Sequence, residues 1–228
     1  MSLIVEGLYL SNLKTSRNHK FFKTQKISDV LIAAKTLKMI FKEVNYKRLI
    51  LDDNPKQNIA KYFAESIKFI QDSISQKRNI LVHCLGGKSR SVTIVVAYVM
   101  LKQNQTFEKA LEFVKTQHRP SNPNPGFLNQ LRMFEQCVVE YYQLLPQDFQ
   151  GDFDYDLLEK LLRQHIKLDK KKKFLKKEDT IVSMKMEKSS DVGPETVLKL
   201  EEGKIEIIDK ISEDHKEIGQ GVEKIQSE

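Results

Sequence analysis

The fold is decided by residues 79–93, which read NILVHCLGGKSRSVT. The short apolar run at residues 79–83 predicts a buried strand. From Ser91 onward the sequence SVTIVVAYVML is apolar on almost every side, which is typical of a helix buried on most of its surface. Its β-branched residues would also suit a strand, but the strand and loop that precede it favour a helix. These residues therefore predict a strand, a glycine-containing loop and a buried helix, in that order.

The loop between this strand and this helix has the composition of an anion-binding site. Gly86 and Gly87 allow the backbone to turn tightly, because glycine has no side-chain barrier. The N–H groups of the loop can then point into one concavity at the N-terminus of the helix, where free N–H groups and the helix dipole favour negative charge. A dianionic phosphate fits such a site, and we expect it to be bound by Leu85, Gly86, Gly87, Lys88, Ser89 and Arg90.

Three side chains around this loop have the chemistry of phosphoryl transfer. Cys84 stands at the loop entrance, where the same N–H groups and dipole stabilise a thiolate that can attack phosphorus. Arg90, six residues later, has a planar fork that can bind two phosphate oxygens at once. Ser91 could donate a hydrogen bond to the sulfur and make it a better leaving group in a second step. A cysteine and an arginine at this spacing arise easily by chance, so the prediction depends on the whole pattern.

The leaving oxygen of a phosphate ester needs a proton, and the candidate donor is Asp53. It lies 31 residues before Cys84, in a turn-rich loop after a strand predicted at residues 46–51. Catalytic loops gather at the carboxyl ends of strands in open α/β sheets, and the same carboxylate could later accept a proton from water. Asp52 is the alternative donor, with Asp53 then capping the loop. His83 is expected to hydrogen-bond the loop rather than to act as a base.

The segments around this motif predict strands and helices in alternation. Strands are predicted at residues 3–10, 29–33 and 46–51, and helices at residues 18–26, after residue 33 through residue 41, at 59–74, at 106–118 with Thr106 as its cap, and at 127–145. Strands separated by helices predict an α/β fold with a central mixed, mostly parallel sheet flanked by helices.

The whole pattern resembles the dual-specificity branch of the protein tyrosine phosphatase superfamily, whose signature is H-C-x5-R-S. Here His83-Cys84 is followed by five residues and then by Arg90-Ser91. Four further segments are similar to the family's opening strand, acid loop, following helix and the stretch after the catalytic helix: residues 5–12 (VEGLYLSN), 51–59 (LDDNPKQNI), 62–70 (YFAESIKFI) and 119–131 (RPSNPNPGFLNQL).

The resemblance covers residues 1–145 and implies a catalytic domain with the cysteine-based phosphatase fold. It places Asp53 at the family's acid and Asn124 at the asparagine that supports the active-site loop. It also implies a cysteinyl-phosphate mechanism without metal or cofactor, acting on phosphorylated protein substrates. The longer domain and phosphotyrosine-binding loop of the tyrosine-specific enzymes are not found, which implies a shallower pocket open to phosphoserine, phosphothreonine and phosphotyrosine.

Two loop residues depart from the usual family pattern. Gly86 stands where alanine is usual, which is a minor change, and Lys88 stands where an apolar residue is usual. A basic residue there resembles the lipid-directed members, which handle phosphoinositides or phosphatidylglycerophosphate. Lys88 could contact a second phosphate or simply face solvent. Two alternatives therefore stay open: a phospholipid phosphatase, and a phospho-binding module without catalytic activity.

Composition and charge limit the remaining functions. Residues 1–145 carry 22 Lys and Arg against 11 Asp and Glu, which suits an anionic ligand or simply a lysine-rich protein. With two cysteines and no signal peptide or transmembrane run, the sequence favours a reducing, cytoplasmic compartment over a disulfide scaffold or a cysteine-based zinc site. Cys137 is expected to pack in the core, with disulfide formation as the lesser alternative. Specific nucleic-acid binding is not expected, because no zinc finger or RNA-binding aromatic signature appears.

The composition changes after residue 146, and residues 146–228 are predicted to be a polar, charged extension, partly helical or disordered. Residues 157–168 predict one amphipathic helix, and residues 197–208 give a weak hairpin signal. Residues 170–177 (KKKKFLKK) form a basic cluster that could face solvent, direct nuclear import or attract an anionic membrane. We expect the protein to be a monomer. Its expected location is the cytoplasm, and the basic cluster makes an additional nuclear location the alternative.

Overall fold

The computed structural model describes residues 1–147, 149, 151 and 153–188, with side chains as far as residue 176. Its strands are β1 (Ser2–Val5), β2 (Leu8–Asn12), β3 (Ile27–Ala33), β4 (Asn45–Leu49) and β5 (Asn79–Cys84). Its helices are α1 (Leu13–Ser16), α2 (His19–Thr24), α3 (Phe63–Ser75, after a 3₁₀ turn at Ala60–Tyr62), α4 (Arg90–Gln103), α5 (Phe107–Gln117), α6 (Pro125–Leu144) and α7 (Tyr155–Lys188).

The strands form one sheet in the order β1-β2-β5-β3-β4. The pairs β2–β5, β5–β3 and β3–β4 are parallel, and β1 pairs with β2 in the antiparallel direction. The predicted central mixed, mostly parallel sheet flanked by helices is therefore confirmed. Because four strands are parallel, their carboxyl ends lie along one edge of the sheet, at Asn12, Ala33, Leu49 and Cys84.

Both faces of the sheet are buried, since successive side chains of a strand point to opposite sides. In β5, Ile80 and Val82 join the core formed with α3 to α6, whereas Leu81 packs on the other face with Phe21 and Phe22 of α2. Burial on both faces explains why β5 reads as a nearly continuous apolar run rather than as an alternating one.

The helices begin close to where the sequence predicts them. Every residue of α4 from Arg90 to Leu101 is buried, so tertiary packing holds this β-branched segment as a helix despite its strand propensity. The Thr106 hydroxyl accepts a hydrogen bond from the Lys109 N–H and caps α5 as predicted. Helix α6 begins at Pro125, two residues earlier than predicted.

The single strand predicted at residues 3–10 is divided into two. β1 and β2 form a hairpin that turns at Gly7, whose φ of +80° is a conformation that favours glycine. Apolar residues flank the turn on both sides, at residues 3–5 and 8–10, which is why the sequence pattern alone did not separate the strands.

The helix predicted between Ala33 and Phe41 is wrong, because residues 34–44 form an irregular connection between β3 and β4. Side chains of β4 satisfy its backbone groups. The Tyr46 hydroxyl accepts from the N–H groups of Ile40 and Phe41, and Arg48 Nη1 donates to the Leu37 carbonyl. These contacts supply hydrogen bonds that a helix would otherwise have made internally.

The chain continues past residue 145 into α7, which includes the helix predicted at residues 157–168. Leu158, Leu161 and Leu162 of α7 are buried in the larger core, within a compact unit that runs from Met1 to Lys171; a second unit begins at Lys172. The domain boundary after residue 145 remains a prediction, and the hairpin predicted at residues 197–208 lies outside the described residues. Over the part of the chain described, no helix has both the length and the apolar character needed to cross a membrane.

Candidate active site

Two loops meet at the carboxyl ends of β4 and β5. The β5–α4 loop comprises residues 85–89, and the β4–α3 loop comprises residues 50–59. The first is anchored to the chain after β2, because the Leu13 N–H donates to the Leu85 carbonyl at 3.2 Å. The motif residues predicted from the sequence lie on or beside these two loops.

The sulfur of Cys84 is enclosed by two hydrogen-bond donors. Cys84 ends β5 and is buried. Its Sγ accepts hydrogen bonds from the Gly87 N–H and from the Ser91 hydroxyl, each at 3.2 Å. A thiolate can only accept hydrogen bonds, so both donors suit an ionised sulfur. The contact predicted between Ser91 and the sulfur is present.

Of the two loop glycines, Gly87 is the one that the backbone requires. Its φ is +67°, and a Cβ there would lie 2.7 Å from the Ser11 carbonyl oxygen. A Cβ on Gly86 would meet only the Lys88 side chain, at 4.0 Å. The tight turn predicted for both glycines therefore depends on Gly87, and alanine would fit at Gly86.

Arg90 connects the two loops from the first position of α4. Its side chain is largely buried, its Nη1 donates to the Leu51 carbonyl at 3.3 Å, and its Nε lies 3.6 Å from Oδ2 of Asp53. The Leu51 carbonyl also accepts from the Lys35 N–H at 3.1 Å. The guanidinium is thereby held between the β4–α3 loop and the start of α4.

Asp53 is the carboxylate that the structure brings into the site. Its Oδ1 accepts hydrogen bonds from the Ser89 hydroxyl at 2.7 Å and from Asn124 Nδ2 at 2.9 Å, while its Oδ2 faces Arg90. Both aspartates are exposed, but none of these contacts involves Asp52. The geometry favours Asp53 over its neighbour as the acid.

Asn124 joins the start of α6 to both loops. Its Oδ1 accepts from the Phe127 N–H at 3.0 Å and caps α6, its Nδ2 donates to Asp53, and its own N–H donates to the Ser89 hydroxyl at 3.2 Å. Ser89 stands at the N-cap of α4, but its hydroxyl donates to Asp53 rather than capping the helix. The first amides of α4 are therefore not taken up by Ser89, which suits an anion at this helix N-terminus.

His83 is buried in β5, with its Nδ1 at 3.3 Å from the Cys84 carbonyl oxygen. A carbonyl oxygen only accepts, so Nδ1 carries the hydrogen in this contact. Burial lowers the pKa of His83 to about 4, partly offset by that hydrogen bond, so the ring is neutral near pH 7. A neutral donor beside the loop entrance suits the supporting role predicted for it.

The arrangement can be compared with known proteins. The family model "Dual specificity phosphatase, catalytic domain" matches residues 8–137. The chain belongs to the dual specificity phosphatase family. It is 39% identical over 143 residues to dual specificity protein phosphatase 22 of Mus musculus, covering 63% of this chain and 78% of the relative. It is 37% identical over 139 residues to dual specificity protein phosphatase 1B of Arabidopsis thaliana, covering 60% and 83%.

Solved structures agree with this assignment. The crystal structure of DUSP15 is similar with a TM-score of 0.60 at 30% identity, covering 73% of this chain and 95% of that chain. The resemblance identified from the sequence is thus confirmed, and this dual specificity phosphatase is a phosphoric monoester hydrolase. The role of each site residue remains a prediction.

At the rim of the phosphatase site, Leu85 and Lys88 expose their side chains. Leu85 is 57% exposed, an unusual fraction for a leucine beside a buried sulfur. These two residues are therefore the loop side chains that a bound substrate would meet first, in addition to the amides beneath them.

Sequence reasoning missed two residues of the phosphatase that hold the β4–α3 loop. A Cβ on Gly126 would lie 1.8 Å from the Pro55 carbonyl oxygen, so only glycine allows α6 to approach this loop. Gln130 Oε1 accepts from the Ile59 N–H at 2.8 Å and the Ala60 N–H at 3.0 Å, and its Nε2 donates to Gln57. The available signal was a glycine in the first turn of a helix, where it is a poor helix former.

Cys137, the other cysteine of the phosphatase, is a packing residue as predicted. It is buried on α6 in the larger core and is a free thiol. Burial, with a smaller effect from Glu140, raises the pKa of Cys137 to about 12, so the thiol stays protonated and unreactive near neutral pH.

Proposed function

We propose that this dual specificity phosphatase removes phosphate from phosphotyrosine and from phosphoserine or phosphothreonine of proteins through a cysteinyl-phosphate intermediate. The observation that carries the proposal is the convergence of Cys84, Arg90 and Asp53 at the N-terminus of α4. A sulfur with two donors, a guanidinium and a carboxylate are the three groups that this chemistry needs.

In the first step, the Cys84 thiolate attacks phosphorus, so that a bond to sulfur forms and the bond to the substrate oxygen breaks. The Arg90 guanidinium and the amides of the β5–α4 loop stabilise the charge on the three equatorial oxygens. The leaving oxygen takes a proton from Asp53 and departs as a neutral hydroxyl group.

Asp53 would act through one of its two carboxylate oxygens. Oδ1 is held by the donors of Ser89 and Asn124, so Oδ2 is the oxygen available to carry the proton. Oδ2 faces the Arg90 Nε at 3.6 Å, and a phosphate bound by that guanidinium competes for it. Substrate binding thereby frees the oxygen that delivers the proton.

In the second step, water attacks phosphorus, a proton passes from that water to Asp53, and the bond to sulfur breaks. Cys84 leaves as a thiolate, and inorganic phosphate is the product. Ser91 lies 3.2 Å from Sγ and donates to it, which stabilises the negative charge that develops on the sulfur.

Changing Asp53→Asn is expected to lower kcat for phenyl phosphate by about 10²–10⁴-fold, because the phenol must then leave without a proton. With p-nitrophenyl phosphate, whose leaving group departs readily as an anion, the loss is expected to be much smaller. The matched control is Asp52→Asn, because Asp52 makes none of the contacts of Asp53. This variant should keep the activity of the parent on both esters. If Asp52→Asn instead shows the leaving-group dependence, the acid is the neighbouring carboxylate.

The substrate class is tested with one peptide phosphorylated in turn on tyrosine, serine and threonine, beside vesicles that contain phosphoinositides. The proposal expects release of phosphate from all three peptides at rates above that from the lipid. Lys88 gives the phospholipid alternative its support, because it is a basic side chain exposed at the rim. A strong preference for lipid that disappears in Lys88→Ile would replace the proposal with that alternative. A cytoplasmic location and a monomeric state remain predictions.

A further inference from the structure

His118 is a buried histidine that the proposed chemistry does not use. It follows α5 and is 5% exposed. Its backbone is fixed on both sides, because its N–H donates to the Val114 carbonyl at 2.8 Å and its carbonyl accepts from the Ser121 hydroxyl at 2.7 Å. The backbone of His118 is thereby held in place at the end of α5.

The ring of His118 contacts the β5–α4 loop with one nitrogen and β1 with the other. Nε2 lies 2.8 Å from the Gly87 carbonyl oxygen, and Nδ1 lies 2.9 Å from the Ser2 hydroxyl. The carbonyl can only accept, so Nε2 carries the hydrogen, and in the neutral ring Nδ1 then accepts from Ser2. Burial lowers the pKa of His118, which keeps this neutral form near pH 7.

A hydrogen bond to the Gly87 carbonyl fixes the direction of the next amide. In a trans peptide the C=O and the N–H point in opposite directions, so holding the Gly87 oxygen toward His118 turns the Lys88 N–H away from it. The next peptide is held in the same way, because the Asn122 N–H donates to the Lys88 carbonyl at 2.8 Å and so orients the Ser89 N–H. Two successive amides of the loop are therefore aimed from the segment that follows α5.

Gly87 needs such an external support. Its φ of +67° and the 2.7 Å distance from a built Cβ to the Ser11 oxygen leave no room for a side chain of its own. As a glycine it also has the greatest freedom to rotate the peptide that follows it. Among the contacts described, His118 is the hydrogen-bond partner of the Gly87 carbonyl, so its removal leaves the direction of the Lys88 N–H without this support.

We propose that His118 is a positioning residue of the phosphate site, which holds the Gly87 carbonyl outward and thereby aims the Lys88 N–H at the bound phosphoryl group. This inference rests on the proposed function, in which the β5–α4 loop binds that group. Ser2 acts with His118 by orienting its ring from the edge strand β1.

The test compares His118→Phe, which keeps a ring but has no donor, with His118→Gln, whose amide nitrogen reaches about as far as Nε2. Binding of inorganic phosphate is measured by isothermal titration calorimetry, and kcat and KM are measured with p-nitrophenyl phosphate. His118→Phe is expected to bind phosphate on the order of tenfold more weakly and to raise KM by a similar factor, since one ordered amide is lost. His118→Gln is expected to recover most of that loss.

Thr116→Ala is the matched control, because Thr116 is exposed at the end of the same helix and bonds only to the Phe113 carbonyl among the contacts described. The unfolding temperature of each variant separates loss of fold from loss of positioning.

The proposal would be overturned if folded His118→Phe binds phosphate as the parent does, or if His118→Gln behaves like His118→Phe. If His118→Phe does not fold, Ser2→Ala is measured instead. It is expected to bind phosphate about threefold more weakly, and parental affinity in this variant would contradict the proposal. Calorimetry measures phosphate binding without turnover. If the protein hydrolyses no substrate, the proposed function is contradicted, but the binding comparison between His118→Phe and the parent still tests the positioning role.

Discussion

Changing Cys84→Ser is expected to lower kcat for p-nitrophenyl phosphate on the order of 10⁴-fold or more, the scale on which loss of an enzyme nucleophile acts. A serine hydroxyl is not ionised near neutral pH, whereas a thiolate is the attacking species. The two donors at the sulfur, the Gly87 N–H and the Ser91 hydroxyl, can also donate to a serine oxygen. The variant is therefore expected to retain its fold and to bind phosphate, and steady-state kinetics beside calorimetry would show both.

Cys137→Ala is the matched control for this change. Cys137 is equally buried, but it lies on α6 within the larger hydrophobic core, and its thiol stays protonated. Its replacement is expected to leave kcat within about twofold of the parent and to cost on the order of 1 kcal/mol of unfolding free energy through the small cavity. Retained turnover in Cys84→Ser would mean that another group attacks phosphorus, and the proposed mechanism would then be wrong.

Changing Arg90→Lys is expected to lower kcat about 10³-fold or more, comparable to the loss of an arginine that stabilises a phosphoryl transition state. The guanidinium contacts the Leu51 carbonyl and the Asp53 carboxylate at the same time, which holds it between the β4–α3 loop and the start of α4. Lysine keeps the charge but offers one nitrogen, so it cannot bind two equatorial oxygens in a plane. Single-turnover kinetics would place the loss in the chemical step.

Arg132→Lys on α6 is the control for this second change, because Arg132 is exposed and bonds to the neighbouring Asn129. It is expected to keep parental kcat and KM. Activity of Arg90→Lys within about tenfold of the parent would show that charge alone suffices there. The planar recognition assigned to Arg90 would then have to be abandoned.

The parts of the site that sequence predicted are local in the chain. Cys84, Arg90 and Ser91 lie within eight residues between a strand and a helix, so their convergence follows from that short unit. Asp53 was predicted from the loop after a strand and from the family pattern, and the contacts of Asp53 with Ser89 and Asn124 are consistent with that assignment. By contrast, only the class of the sheet could be predicted and not the order of its strands, since no local signal specifies which strands become neighbours.

The parts that sequence missed depend on contacts between distant segments. His118 and Gly87 are 31 residues apart, and Gln130 reaches Ile59 across 71 residues. Neither histidine nor glutamine carries a local pattern that announces such a contact, because the packing of α5 and α6 on the sheet decides it. The wrong helix after Ala33 has the same origin: Tyr46 and Arg48 of the following strand supply hydrogen bonds that local propensity cannot anticipate.

The tie between α6 and the β4–α3 loop has a consequence for the timing of turnover. Gly126 admits the Pro55 carbonyl against the helix, and Gln130 fastens the backbone from Gln57 to Ala60. We therefore expect this loop, which carries the proposed acid Asp53, to keep its position when substrate binds rather than to close over it. Turnover would then need no loop closure, and we expect its rate to be set by the chemical steps at phosphorus or by product release.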